Sequence, residues 1–421
     1  DPVLKINPTA LVIGGGIAGM RAARNLAEQG YNTHLIDTEK DLGGQARNLY
    51  QTWRGEDVQP YLNRLIQEVG SDEKIEVSLN TELKEVEGFV GNFRSTLKTD
   101  GRERVLEHGI AIIATGASEL KPDQYLYGED PRVMTALELD QRLIDCDPSL
   151  RSLKAAVFIQ CVGSRTEERP YCSKVCCSHS IRNGLRLREI NPEMDVFIVY
   201  RDLRTYGLRE DLYREARAKG VVFIRYDHRR ALKVLRDGGD LQVLFTSSVL
   251  NREIEIRPDV LVLATAIVPQ KENPVAKLFK VPLNSDGFFV EAHVKLRPID
   301  FSTDGVFVCG LAHSPKPVDE SISQGLGAAA RAMTLLSREE MLGNGIVAEI
   351  RPESCAGCQG CLGVCPYEAI RYREDQKICE VNEAICKGCG TCAAACPSAS
   401  AQLRRFTSRQ IYAQIEKALG I

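Results

Sequence analysis

The chain has 421 residues, is 43% apolar and 26% charged, and carries a net charge of −3. That balance suits a soluble globular protein with two or three cores and gives no reason to expect nucleic acid as a partner. No apolar run approaches the roughly 20 residues of a membrane span, and no signal-like segment precedes the first expected strand, so the expected location is the cytoplasm.

Residues 10–16, ALVIGGG, read as a buried strand entering a tight turn. Gly14, Gly16 and Gly19 complete a Gly-x-Gly-x-x-Gly pattern, residues 20–29 read as the following helix, and Gly30 ends it. The next strand, 33–36, runs into Asp37, near the distance expected for a carboxylate that binds ribose hydroxyls. Glycines at these positions let the backbone turn and approach a pyrophosphate, and they let helix and strand pack closely; the helix N-terminus attracts the anion. Gly43-Gly44-Gln45 forms another glycine turn, and 110–116 reads as a strand ending in Ala114-Thr115-Gly116.

A second unit starts near Leu153, with strands expected at 155–160, 195–200 and 221–225 and helices at 174–190 and 209–219. Strand–helix alternation implies a parallel sheet. Segments 232–235, 241–246 and 254–256 read as an antiparallel meander, and 260–266 echoes the earlier Ala-Thr-Gly strand. The chain thus contains two similar halves. At the strand-to-helix turn of the second half only Gly163 remains, and Cys161, Cys172, Cys176 and Cys177 occupy the turn and the helix start. Residues 201–236 carry eleven Lys and Arg against five acids and read as a solvated basic face rather than a docking patch. Residues 304–310 read as one more strand ending in Gly310, followed by a small-residue helix at 326–336 and a linker, Gly343-Asn344-Gly345.

Twelve of the fifteen cysteines lie in three runs, and in a chain with no export signal such clustering points to metal or cluster ligation rather than disulfides. Cys355-x-x-Cys358-x-x-Cys361-x-x-x-Cys365-Pro recurs as Cys386-x-x-Cys389-x-x-Cys392-x-x-x-Cys396-Pro, each cysteine displaced by 31 residues. This is the two-cluster bacterial ferredoxin spacing, in which the fourth cysteine of each run serves the other cluster. One [4Fe–4S] cluster is therefore assigned to Cys355, Cys358, Cys361 and Cys396, the other to Cys386, Cys389, Cys392 and Cys365. Structural zinc is the weaker alternative. Cys146, Cys309 and Cys379 read as packed thiols. The final helix has a capping box at Thr407 and an apolar stripe of Ile411, Ile415 and Leu419, and is expected to pack on its own domain.

Spacing alone leaves the middle cysteines open between cluster ligation and buried thiols. Adjacent helical residues diverge by about 100°, which suits a cube better than one ion. The motifs Gln160-Cys-Val-Gly-Ser-Arg165, Tyr171-Cys-Ser-Lys-Val-Cys-Cys177 and the 386–397 run resemble the A subunits of heterodisulfide reductases, the HdrA family. The resemblance covers nearly the whole chain. It implies an α/β, thioredoxin-reductase-like flavoprotein with two dinucleotide-binding (Rossmann-like) domains, fused to an α+β 2[4Fe–4S] ferredoxin domain. The implied division is a split FAD-binding domain at 1–150 and 285–345, a second unit at 151–284 with a cluster in place of NAD(P), and the ferredoxin domain at 346–421.

By the same resemblance Cys161, Cys172, Cys176 and Cys177 hold a third [4Fe–4S] cluster. FAD lies among Gly14, Gly16, Gly19, Asp37, Gly43, Gly44, Gln45, Ala114, Thr115, Gly116, Gly310 and Gln324. Members pass electrons among partner subunits of anaerobic oxidoreductase complexes, some by flavin-based bifurcation. An extra N-terminal domain and an inserted ferredoxin domain of larger relatives are missing here, which makes this chain similar to short forms such as the A subunits of quinone-interacting, membrane-associated complexes. Relatives often carry Lys where Arg182 stands, five residues after Cys177, and that side chain is expected to tune the flavin. Leu311 departs from the Gly-Asp usual at 310–311, so the ribityl contact must differ. Two other readings are a self-sufficient NAD(P)H:ferredoxin-type oxidoreductase, disfavoured by the missing second glycine fingerprint, and an assembly module with a vestigial flavin pocket.

Overall fold

The apolar runs Ala10–Ile13 and Ala155–Val162 are the central strands of two five-stranded parallel sheets. Parallel strands covered on both faces bury every side chain, which is why both runs lack alternation. In this computed structural model, which describes residues 3–342, 345–383 and 385–420, the first sheet has the order Val306–Val308, Ile110–Ile113, Ala10–Ile13, Thr33–Ile36, Ile75–Ser78. The second runs Val133–Thr135, Val260–Thr265, Ala155–Val162, Asp195–Tyr200, Val222–Arg225. Positions 343 and 344 of the expected linker lie outside the described residues.

Each unit packs helices on one face and a three-stranded antiparallel sheet on the other. In the first unit Val12, Ile110 and Ile112 meet helices Ile17–Glu28, Val58–Ser71 and Val318–Leu336, while Leu11, Ile13 and Ile113 meet Leu83, Phe93 and Leu97 of the antiparallel sheet. In the second unit Phe158 and Val262 meet Ile181, Leu185 and Leu212, while Val157 and Ile159 meet Val243 and Phe245 of the meander. The two halves therefore match in architecture, including an antiparallel sheet at residues 81–108 that sequence reading passed over.

Sheet pairing also moves the seams between units. Val133–Thr135 pairs with Val260–Thr265, and helix Ala136–Ile144 packs into the second core, so the crossover falls before Val133 rather than at 150. The return comes before 285, because Val275, Ala276 and Phe279 already belong to the first core. Three expectations need correction. Cys146 is exposed, standing in a left-handed conformation (φ 54°) just past the Ala136–Ile144 helix rather than inside a core. The helix starting at Ile17 begins immediately after Gly16, three residues earlier than periodicity indicates. The C-terminal helix Ser408–Leu419 keeps its capping box, but Ile411, Tyr412, Ile415 and Leu419 are all exposed, so its stripe is not packed on its own domain. Much of the basic segment 201–236 is ion-paired, Arg209 with Glu320, Arg225 with Asp202 and Arg236 with Asp130.

The C-terminal module consists of two antiparallel ribbons, Ala348–Ile350 with Ala401–Leu403 and Ile370–Arg373 with Ile378–Val381, and two short helices. Lys387–Asp304 (2.6 Å) and Lys280–Glu368 (2.5 Å) tie it to the first unit. No helix among the described residues is long and apolar enough to cross a membrane.

Candidate functional site

The first strand-to-helix turn is a cradle of bare backbone. A Cβ on Gly14 (φ 115°) would stand 2.2 Å from Ala114 O, and one on Gly19 would stand 1.9 Å from Gly14 O, so side chains are excluded where strand, turn and helix meet. A Cβ on Gly16 would meet nothing within 4 Å, because that position opens onto a cleft of about 1000 Å³. Gly14, Gly16, Asp37, Gly43, Gly44, Gln45, Ala114, Thr115, Gly116 and Gly310 all line this cleft. Asp37 accepts the Gly15 N–H at 2.5 Å and lies at the cleft wall. Buried Thr115 Oγ1 has no partner within the protein. A large cleft, a glycine cradle at a helix N-terminus, an acid at the next strand end and an orphaned hydroxyl fit a dinucleotide. Gly19 and Gln324 do not line it. Gly19 packs the helix, and Gln324 accepts the Gly310 N–H (3.0 Å) while donating to His313 Nδ1 (2.8 Å), whose Nε2 meets Glu291 (2.8 Å). Gln324 thus shapes the Gly310 turn from behind.

At the matching turn of the second unit the chain does something different. Cys161 closes the central strand in a left-handed conformation (φ 62°), at a register shift in its pairing with Val260–Thr265. The loop then returns and Cys176–Ile190 begins, so Cys161, Cys172, Cys176 and Cys177 share one neighbourhood. Burial pushes the Cys176 thiol well up, and nearby Cys161, Cys177 and Cys172 push further. Cys177 is raised by burial to about 11 although it accepts the Arg204 N–H (3.4 Å), and Cys161 is raised by burial against the pull of Arg165 and Arg201. Thiols this desolvated stay protonated unless a metal or cluster takes the proton's place. Among the described residues no group of three His, Cys, Asp or Glu side chains is placed to hold a single metal ion; a four-iron cube takes one thiolate on each iron and spreads them more widely. The turn is anchored to the end of the neighbouring strand: Ile267 N–H donates to Ser173 Oγ (3.0 Å) and Tyr171 OH to Ile267 O (2.9 Å).

A smaller cavity of about 130 Å³ lies between the two turns. Val175, Cys176 and His179 wall it on the cysteine side, Gln45, Leu311 and Lys316 on the cleft side. His179 meets buried Asp140 at 2.9 Å, and Asp140 also accepts from Asn183 (2.7 Å) and Tyr50 N–H (2.9 Å). Burial alone would lower the His179 pKa, but Asp140 outweighs it and the net shift is upward. Arg182 also reaches this wall: its Nε donates to Gln51 (2.9 Å) and its guanidinium lies 3.7 Å from Glu189.

Lys316, which sequence reading missed, lines both cavities. It is 8% exposed, and its ammonium donates to Gly310 O (2.5 Å) and Ser314 O (2.8 Å). Burial, with repulsion from Lys174, brings its pKa down to about 7, against the weaker pull of Cys309, Glu320 and Glu291. The turn after Gly310 folds Lys316 back onto the Gly310 carbonyl six residues before it. Cys309 itself is fully buried and pushed up to about 12 by that burial, as a packed thiol should be.

In the C-terminal module Cys355, Cys358, Cys361 and Cys396 line one hollow, Cys386, Cys389, Cys392 and Cys365 the other. The chain brings together the same crossed sets that the spacing assigns, and each set offers four sulfurs, the complement of one cube, with Cys379 a fifth sulfur in the first hollow. Burial tends to raise the Cys396 thiol, but the Ser400 hydroxyl, the Ala401 N–H and the Ser398 hydroxyl bring it down to about 6. Buried Cys379 packs beside Cys361.

Two dinucleotide-type units, one with its glycine cradle and one with cysteines in that place, joined to a dicluster ferredoxin module, define an iron–sulfur flavoprotein oxidoreductase. Residues 8–158 match the pyridine nucleotide-disulphide oxidoreductase family and residues 344–400 the 4Fe-4S dicluster domain. The fold is similar to the thioredoxin reductases of T. acidophilum (TM-score 0.53, 14% identity, 78% of this chain and 99% of that one) and Lactococcus lactis (TM-score 0.53, 16% identity, the same coverage). In sequence the chain is 30% identical to the iron-sulfur A subunit of the CoB–CoM heterodisulfide reductase of Methanocaldococcus jannaschii, over 99% of this chain and 78% of the relative. It is likewise 30% identical to the A subunit of the H2:CoB-CoM heterodisulfide,ferredoxin reductase of Methanothermobacter marburgensis, over 99% and 77%. The chain belongs to the HdrA family, the A subunits of heterodisulfide reductases. It is a flavin- and iron–sulfur-dependent protein of electron transfer. The first alignment spans 515 positions against 421 residues here, so the relative carries inserted segments that this chain lacks.

Proposed function

We propose that the flavin is FAD, that the chain carries three [4Fe–4S] clusters, and that it works in the cytoplasm inside a multi-subunit anaerobic oxidoreductase whose other redox subunits perform the substrate chemistry. The observation that carries this reading is the position of the cysteine turn: Cys176 and His179 line one cavity with Gln45 and Lys316, at the place where a nicotinamide-binding turn would stand. Bound flavin would supply the interchange between two-electron and one-electron transfer. Gly14, Gly16 and Gly44 would admit the pyrophosphate, Asp37 would accept from a ribose hydroxyl, and Thr115 Oγ1 would gain a partner. Lys316 would place a positive charge beside the ring, and Gln324 holds Gly310 so that the turn keeps its shape. The partners would resemble the B and C subunits of heterodisulfide reductases, with attachment to a membrane-bound complex as in the quinone-interacting forms.

Three measurements on anaerobically prepared protein test this reading. Iron should come to about twelve per chain, from three four-iron cubes, with one FAD. Neither NADH nor NADPH should reduce the flavin of the isolated chain, because the second unit has no glycine cradle for close pyrophosphate approach. Rapid stoichiometric bleaching by either nucleotide would establish the self-sufficient reductase instead. Identification of co-purifying subunits then names the partners.

A further inference from the structure

The two hollows of the C-terminal module are related by the 31-residue repeat, and the backbone obeys it closely. Gly357 and Gly388 both have φ 64°, Gln359 and Gly390 have 60° and 81°, and Glu368 and Ala399 have 50° and 52°. Each position around one hollow therefore has a counterpart around the other, and side chains that differ between counterparts stand out against a shared frame.

Around Cys396 stand Ser400, with Oγ 3.2 Å from its sulfur, and Ser398, with Oγ 3.6 Å from the sulfur and 3.2 Å from Ser400 Oγ. Their counterparts beside Cys365 are Ala369 and Tyr367, which present no such hydroxyl to the sulfur. Ser400 and Cys379 are each only 2% exposed. The Cys379 thiol is within hydrogen-bond reach of Cys361 and lines the same hollow, while its counterpart Ala348 lines the other. With Cys361 held as a thiolate, Cys379 is the member of that pair with a proton to give. Backbone donors favour the other set: Ala401 N–H to Cys396 is 3.5 Å, against Ala369 N–H to Cys365 and Ala348 N–H to Cys386, both at 3.3 Å.

Two differences point the other way. Thr391 Oγ1 lies 3.4 Å from Cys389, where the counterpart is Gly360. Lys387 stands where the other half has Ala356, but its ammonium is paired with Asp304 at 2.6 Å. Two buried side-chain donors on one set, Cys379 and Ser400 (the latter backed by Ser398), thus face one exposed side-chain donor, one more backbone donor and a neutralised cation on the other. A donor stabilises a sulfur ligand more once the cluster has gained an electron, because the added negative charge falls partly on sulfur; such hydrogen bonds raise the reduction potential.

We propose that the two C-terminal clusters are unequal, and that the one held by Cys355, Cys358, Cys361 and Cys396 has the higher potential because Ser400, backed by Ser398, and Cys379 donate to its sulfurs. The lower-potential set then lies on the side of the flavoprotein body, flanked by the Lys387–Asp304 and Lys280–Glu368 pairs. The inference rests on the cluster assignment proposed above.

Redox titration of the full chain followed by electron paramagnetic resonance tests it, with iron content as the control. Ser400→Ala should lower the higher of the two mutually coupled midpoints, changing its reduced-to-oxidised ratio at fixed potential by about threefold to tenfold, the latter being about 59 mV for one electron. Cys379→Ala should move the same midpoint in the same direction, whereas a thiol that only packs would leave it in place. Ala369→Ser, which installs the missing hydroxyl in the other half, should raise the lower midpoint and narrow the gap. A shift confined to the lower midpoint in Ser400→Ala, or no shift in any variant with iron intact, overturns the potential ordering. Absence of two coupled cluster signals in the parent protein would instead overturn the cluster assignment on which it rests.

Discussion

The turns after Ala10–Ile13 and after Ala155–Val162 occupy equivalent places in two parallel sheets of matching architecture, yet they hold opposite chemistry. The first is stripped of side chains, so that backbone N–H groups and a helix N-terminus face an open cleft. The second is filled with thiols that burial makes poor acids, beside Arg165, Arg201 and Arg204. One fold position is thus shaped either for a phosphate group, which needs room and dipoles, or, on the proposed assignment, for a metal cluster, which needs thiolates and nearby positive charge. The difference lies in a few residues and a register shift at Cys161, while the strand order behind the two turns is the same.

The strongest way to break this comparison is to fill the first turn. Gly14→Ala puts a methyl 2.2 Å from a backbone oxygen at a φ of 115°, so the turn must shift. Flavin should be lost almost completely, read as the flavin absorbance per chain, while ferredoxin-type iron is retained. Emptying the second turn comes next. Cys176→Ser should remove about four of about twelve irons and leave the yellow chromophore in place, checked by iron analysis beside the visible spectrum.

Lys316→Met sharpens the contact between the two turns. The Lys316 pKa falls from 10.5 to about 7 on folding, so between those values the unfolded chain holds a proton that the folded chain has released. Stability conferred through this group is therefore least below a pH of about 7 and rises as pH climbs toward 10.5. The Met variant should lack that rise and show a higher thermal midpoint than the parent at neutral pH, with the gap closing as pH approaches 10.5. Its flavin midpoint should also fall at neutral pH, since a nearby cation favours the anionic reduced ring.

The smallest effect is expected at Arg182. Its guanidinium lines the cavity between the turns, but Gln51 and Glu189 already engage it. Arg182→Gln should lower the two-electron flavin midpoint by no more than about 30 mV, equivalent to about 1.4 kcal/mol. An unchanged midpoint with all clusters intact would assign Arg182 to the packing of the Gln51 loop alone.

Much of this architecture was readable in the chain alone, for physical reasons that can be named. Largely buried parallel strands leave mostly apolar runs, so Thr33–Ile36 and Asp195–Tyr200 coincide with their expected bounds. A glycine cradle and a ferredoxin repeat are written locally, because the turn or the crossed ligand set depends on spacing over a few residues. The antiparallel sheet at residues 81–108 was not legible: many of its side chains face solvent, as along the polar strand Arg102–His108, so no clear apolar alternation marks it. Val133–Thr135 has too few residues to carry a period, and only its pairing with Val260–Thr265 assigns it to the second sheet. Cys146 and the stripe of Ser408–Leu419 looked like core from composition, but burial is decided by what packs opposite, and nothing in a local pattern specifies that. The same holds for two contacts made by side chains at the cofactor sites. Lys316 reaches Gly310, and the Cys379 thiol reaches Cys361, because the chain folds back on itself; a single sequence encodes those meetings only through the whole tertiary structure.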